Sequence, residues 1–217
     1  MQSVSLSLFQ PIVDEASQVS KSARKLAELL QPYRDRQTLL LALPEECQSL
    51  SVELAHLLRL PFVTMVSHEF YLPGIPMVPA GALSEGGGLY FNAATLRLPE
   101  VQPLVLWEAA RQARRQVAWL LEQYRRGHPL PPVSRRTVIL ITTDLGSGLA
   151  SLAAIQALHY AGVRRCVVAT ASSNPPAAEL VAARADTLLT LQAAPEQARA
   201  LGESSSPAVE PRQKIFA

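Results

Sequence analysis

Residues 137–142 read Thr-Val-Ile-Leu-Ile-Thr, a nearly unbroken apolar run of strand length that leads into a glycine-rich turn and a helix-forming segment. A strand with one wet face alternates apolar and polar side chains. A run without alternation must be covered on both faces, which is the environment of an inner parallel strand. Four further segments have the same character: 38–43, closed by Pro44, then 62–66, 166–171 and 187–191. Between and around them lie helical periodicities at 14–30, 49–58, 106–124, 149–161 and about 175–185. In the first, Val19, Ala23, Leu26, Ala27, Leu29 and Leu30 form an apolar stripe, Lys21, Arg24, Lys25 and Glu28 face away from it, and Pro32 ends the helix. Strands alternating with helices predict an α/β fold, an open parallel sheet with helices on both faces and right-handed crossovers.

The stretch 67–100 breaks this alternation. It is rich in Pro and Gly, with β-prone pieces at 78–84 and 88–92 around Gly86-Gly87-Gly88, and it predicts a small hood or flap standing off the main sheet. Its apolar residues Phe70, Tyr71, Leu72, Ile75, Met77 and Val78 suit either a cover over a site or a contact with a protein partner. Residues 202–217, with Ser204-Ser205-Ser206 and two prolines, predict a loosely held tail and leave 1–201 as one domain.

Charge and cysteine content exclude several classes. Twenty basic and 18 acidic residues, a formal charge of +2, give no reason to expect nucleic acid or an anionic membrane surface as partner. Arg111, Arg114, Arg115, Arg125 and Arg126 lie along one predicted helix and read as a solvated face. No run approaches the ~18–20 apolar residues of a membrane span. Cys47 and Cys166 are far apart and lack Cys-x-x-Cys spacing, so zinc and redox motifs have no support. With no leader pattern in residues 1–10, the expected compartment is the reducing cytoplasm.

In an open parallel sheet, ligands bind beyond the carboxyl ends of the strands. The turn after 137–142 is Thr143-Asp144-Leu145-Gly146-Ser147-Gly148, and a helix follows. Two glycines and a serine at a helix N-terminus can aim N–H groups at one anion, and the helix dipole favours negative charge there. The alternative is an ordinary strand-to-helix turn with Ser147 as N-cap. The turn lacks the lysine of a P-loop and the spacing of a dinucleotide fingerprint, and Asp144 sets a negative charge beside the anion.

Residues 136–150, Arg-Thr-Val-Ile-Leu-Ile-Thr-Thr-Asp-Leu-Gly-Ser-Gly-Leu-Ala, resemble the signature segment of type I phosphoribosyltransferases. Leu43-Pro44, Pro73-Gly74-Ile75-Pro76 and Gly81-Ala82-Leu83-Ser84-Glu85-Gly86-Gly87 are similar, in order and approximate spacing, to motifs of a short bacterial branch of that family. The resemblance runs from about residue 20 to about residue 192. It implies the type I phosphoribosyltransferase fold with its hood, a homodimer, and Mg-bound phosphoribosyl pyrophosphate as the family's substrate. In that comparison Gly146, Ser147, Gly148, Leu149 and Ala150 take the place of the loop that holds the 5′-phosphate. Thr142 and Thr143 stand where the family has two acidic residues that hold the ribose hydroxyls and steady developing positive charge. A one-residue shift leaves Asp144 as a single acid.

The departures all stand against standard phosphoribosyl transfer. Thr142 and Thr143 supply no charge, and Ala150 replaces a hydroxyl donor. Glu45, Glu46 and Cys47 stand where the branch has Arg-Gly-Gly around pyrophosphate, and His68-Glu69 stand where it has Arg-Lys. Carboxylates there repel pyrophosphate. The expectation is a catalytically degenerate relative that binds a phosphorylated small molecule or a protein partner. The alternatives are an active transferase using Asp144 and Mg, and a structural or assembly protein. No metal site is predicted: Glu45, Glu46 and Glu69 read as solvated charge, with a divalent-cation cluster as the alternative. His68-Glu69 reads as a polar strand-end pair, with an acid–base pair as the alternative, and Cys47 as a loop cysteine rather than a nucleophile.

Overall fold

A computed structural model describes residues 10–35, 37–44, 48–99, 101–193 and 215–216. Its centre is β6 (Thr137–Asp144), with Val138, Ile139, Leu140 and Ile141 all at 0% exposure. On one side of it lie β1 (Leu39–Ala42) and β2 (Phe62–Thr64). On the other lie β7 (Arg165–Ser173), β8 (Thr187–Ala193) and β9 (Ile215–Phe216). The order is β2-β1-β6-β7-β8-β9 and every pairing is parallel.

Side-chain alternation splits this sheet between two cores. Leu39, Leu41, Val138, Leu140, Cys166, Val168 and Leu188 face one way, under α5 (Leu149–Tyr160) and α6 (Pro175–Ala182). Leu40, Ile139, Ile141, Val167, Ala169 and Leu189 face the other, under α1 (Gln10–Leu30) and α2 (Gln48–Leu58). Both faces are apolar, so the strands carry no polar alternation. The predicted fold class is the one observed.

The hood holds three strands: β3 (Ser67–Leu72), β4 (Ile75–Ser84) and β5 (Leu89–Phe91), antiparallel in that order. The short helix α3 (Ala93–Leu96) follows, then α4 (Pro103–Arg125). The strand missing from the sequence reading is β3. Phe70 and Leu72 are buried under Leu106, Ala109, Ala110 and Ala113 of α4, while Tyr71 stays 45% exposed. The apolar hood segment is therefore half core and half surface. The prediction also stopped β6 at residue 142; Asp144 still pairs opposite Ser172 and extends the strand. Helix α4 begins three residues earlier than its apolar stripe, with Pro103 in its first turn, where a missing N–H costs nothing.

The hood is fastened to α5. A Cβ on Gly88 would lie 1.9 Å from the Ala153 carbonyl oxygen, so only glycine lets the turn rest on the helix backbone. Ser67 Oγ donates to Ala150 O at 2.8 Å, and the Leu89 N–H donates to Gln156 Oε1 at 3.0 Å. Helix α5, covered by sheet, hood and α6, is buried nearly all round, which its small, apolar sequence allows.

One expectation is corrected. Arg125 is not part of a solvated arginine face: its Nη2 donates to Glu85 Oε2, and both side chains are only 8% exposed. Glu85 Oε1 also accepts from the Val66 N–H at 2.6 Å. Burial pushes the Glu85 carboxyl above its ordinary value, against the pull of the Val66 N–H and Arg125. With the folded value above the unfolded one, its contribution favours the native state at low pH and is lost as pH rises through the carboxylate range. Among the described residues Arg125 Nε and Nη1 have no hydrogen-bond partner.

Residues 194–214 and 217 lie outside the described residues, and with them most of the predicted tail. Ile215 and Phe216 pair beside Leu189 and Thr190. Among the described residues no helix is long and apolar enough to cross a membrane.

Removing one partner of a buried ion pair strands the other. Glu85→Ala is expected to lower unfolding stability at neutral pH by ~3–5 kcal/mol. Urea denaturation measures it; a loss under ~1 kcal/mol would mean that Arg125 reaches water instead.

Candidate functional site

Strand order reverses between β1 and β6: the chain runs from β1 outward to β2, and resumes on β1's other side with β6. The connection after β1 enters α2 on one face, and that after β6 enters α5 on the opposite face. A crevice opens beyond the carboxyl ends of such neighbouring strands. Residues 142–150 lie on its β6 side. Glu45, Glu46 and Cys47 follow β1 in the sequence but lie outside the described residues, and so does their predicted convergence with Glu69.

Several donors of the turn after β6 find partners within the turn. Thr142, buried at 9% exposure, donates from Oγ1 to Asp144 O at 2.8 Å. Asp144 is exposed, and its Oδ1 accepts the Gly146 N–H at 2.8 Å. The Gly148 N–H donates to Leu145 O at 2.7 Å, and the Leu149 N–H to Ser147 Oγ at 3.1 Å. Gly146 and Gly148 have φ of 54° and 79°, the left-handed region glycine occupies without strain. Gly148 is the residue at the helix N-cap position, and Ser147, one residue earlier, caps Leu149. Leu149 is buried and Ala150 half-buried, both at the start of α5. Thr143 is half-buried, and its carbonyl accepts from Thr170 Oγ1 at 3.2 Å.

The structure joins Glu69 to this turn. Ser147 Oγ donates to Glu69 Oε1 at 2.5 Å, a charge-assisted bond, and Tyr71 Oη donates to Glu69 Oε2 at 3.4 Å. His68 and Glu69 both line a small cavity on β3 against Ala109 and Ala113 of α4. Among the described residues no group of three His, Cys, Asp or Glu side chains is placed to hold a metal ion.

Sequence reasoning missed Asn174. Its Nδ2 donates to Gly146 O at 2.6 Å and its Oδ1 accepts the Ala177 N–H at 2.9 Å, so it caps α6 and steadies the turn at once. Asparagine before Pro175-Pro176 was the available signal, since asparagine is a preferred N-cap and proline a preferred first helical residue.

No protein-family model matches the chain. Two Mycobacterium tuberculosis proteins, each named "Putative phosphoribosyl transferase", are 23% identical to it over 148 residues. That match covers 68% of this chain and 33% of theirs, so the chain matches about a third of the length of these curated relatives. The crystal structure of TT1426 from Thermus thermophilus is 27% identical, with a TM-score of 0.65 over 84% of this chain and 86% of that one. A purine phosphoribosyltransferase from Pyrococcus horikoshii has a TM-score of 0.47 at 12% identity, over 82% of this chain and 85% of that one. The chain is phosphoribosyltransferase-like, an open parallel α/β sheet with a hood.

Asn174→Ala removes a cap and the tie to Gly146 together. A loss of ~1–2 kcal/mol is expected in urea denaturation. Amide exchange in residues 145–149 should rise more than at β6; uniform change along the chain would deny the link to the turn.

Proposed function

We propose that this phosphoribosyltransferase-like domain does not carry out phosphoribosyl transfer and acts by binding, its ligand being a phosphorylated small molecule or a protein partner. The observation that carries the reading is the Glu69 carboxylate on the Ser147 hydroxyl, at the mouth of the turn that would hold a 5′-phosphate. A phosphate arriving there meets an anion already on the hydroxyl. Two unit charges 4 Å apart repel by ~1 kcal/mol in water and ~4 kcal/mol at a protein surface.

Two further features support it. Transfer from phosphoribosyl pyrophosphate needs negative charge beside a ribose that becomes cationic, and Thr142 and Thr143 are neutral. The nearby acid, Asp144, holds the Gly146 N–H. The pyrophosphate side carries Glu45 and Glu46 in the sequence. Against this stands one observation for an active transferase: Asp144 is exposed at the tip of β6 and could release the Gly146 N–H to meet a ribose hydroxyl. Mg would then accompany phosphoribosyl pyrophosphate, with Asp144 next to the sugar.

Calorimetric titration separates these readings, using phosphoribosyl pyrophosphate with Mg, ribose 5-phosphate and AMP. The expected result is no heat of binding from phosphoribosyl pyrophosphate at any concentration below about millimolar. Binding by the monophosphates alone assigns a phosphorylated ligand; no binding by any of them assigns the protein partner. Micromolar binding of phosphoribosyl pyrophosphate that Asp144→Ala abolishes would establish the transferase instead. Light scattering on the same sample tests the homodimer that the family resemblance implies.

A further inference from the structure

A groove of about 660 Å³ lies away from the β6 turn, between the hood and α4. One wall is the half-buried pair Leu83 and Leu89; the other is α4, with Trp107, Arg111, Arg114 and Ala118 along it. Trp107 is 60% exposed, and its ring meets Phe91 edge-on at 5.9 Å. An indole held by a second ring yet open to solvent offers a fixed apolar plate.

The groove's carboxylates are already engaged by arginines, and Arg114 stands outside those pairs. Glu85 is the acid that lines it, and its carboxylate is engaged by Arg125 and the Val66 N–H. Arg111 shares an exposed pair with Glu108, a contact worth under ~1 kcal/mol that an incoming anion can displace. The ion pairs among the described residues leave Arg114 out. The groove therefore joins an apolar floor to two available guanidinium groups. Its volume falls in the ~300–1,000 Å³ range of small-molecule sites. A second copy of the chain fits poorly: two-fold pairing through this face would bring its arginines toward their own copies.

We propose that the groove between the hood and α4 binds a small amphipathic organic anion, its apolar body on Trp107, Leu83 and Leu89 and its charged group on Arg111 and Arg114. The inference does not rest on the chemistry of the β6 turn, and stands whether or not phosphoribosyl pyrophosphate binds there.

The test uses 8-anilinonaphthalene-1-sulfonate, an aromatic anion, beside N-phenyl-1-naphthylamine, the same body without the sulfonate. Saturable binding of one anionic dye per chain is expected, with energy transfer from Trp107 kept in a Trp119→Phe background. Arg114→Gln should weaken the anionic dye about tenfold, the worth of one charge-assisted contact, and leave the neutral dye unchanged. Ala118→Trp, at an exposed helix position, should fill the groove and displace both dyes while far-ultraviolet circular dichroism and the urea midpoint stay native. Equal affinity for the two dyes, with no effect of Arg114→Gln, would overturn the proposal in favour of an apolar contact surface. Retention of the anionic dye by Ala118→Trp would also overturn it. So would dye binding that appears only on dilution of a dimer seen by light scattering, which would assign the groove to a second copy.

Discussion

Burial of β6 on both faces is the constraint from which the rest follows. Four consecutive residues, Val138 to Ile141, are wholly enclosed, and each such side chain contributes ~1.5–3 kcal/mol relative to exposure. That burial requires helices above and below the sheet, parallel neighbours on both sides, and crossovers that leave alternately to either face. The crevice between β1 and β6 is a geometric result of those requirements. Its position depends on the core, and the side chains that line it do not have to hold the fold together. A chain can therefore keep the crevice and exchange the groups in it at little cost to folding.

The turn after β6 shows what happens to polar groups in such an exchange. Buried or half-buried donors need partners whether or not a ligand comes. Here the partners are internal: Asp144 takes the Gly146 N–H, Leu145 takes the Gly148 N–H, Ser147 takes the Leu149 N–H, and Glu69 takes the Ser147 hydroxyl. Asn174 then holds the turn from outside through the Gly146 carbonyl. Glu69 supplies negative charge at the Ser147 corner of the turn.

The main sheet was legible from its apolar runs because burial on both faces removes polar alternation, and α1, α2, α4 and α5 from their spacing. The hood was less so. Strand β3 reads Ser-His-Glu-Phe-Tyr-Leu, in which Phe70 and Leu72 are core but Tyr71 is not, and Glu69 belongs to a contact 78 residues away in the chain. Ser147 was visible as a helix-start residue, but nothing local shows which side chain meets it. The same limit applies to Arg125. Five arginines on one helix look alike in sequence, and only the fold of β4 and its following turn brings Glu85 to one of them.

That ion pair also bears on the groove beside α4. Glu85 opens the turn at residues 85–87 that adjoins the groove wall, and Arg125 lies near the end of the helix that forms the opposite wall. Holding one to the other, together with Gly88 seated on Ala153 and Leu89 bonded to Gln156, fixes the separation of the two walls before any ligand arrives. A preformed site avoids the cost of ordering loops on binding, so a modest apolar contact and one or two charge-assisted bonds suffice for useful affinity. The charge pattern agrees with this division: Glu69 and Asp144 stand at the β6 turn, and Arg114 on α4 lies outside the ion pairs among the described residues. On the proposal, an organic anion finds its positive partners at α4 rather than at the strand ends.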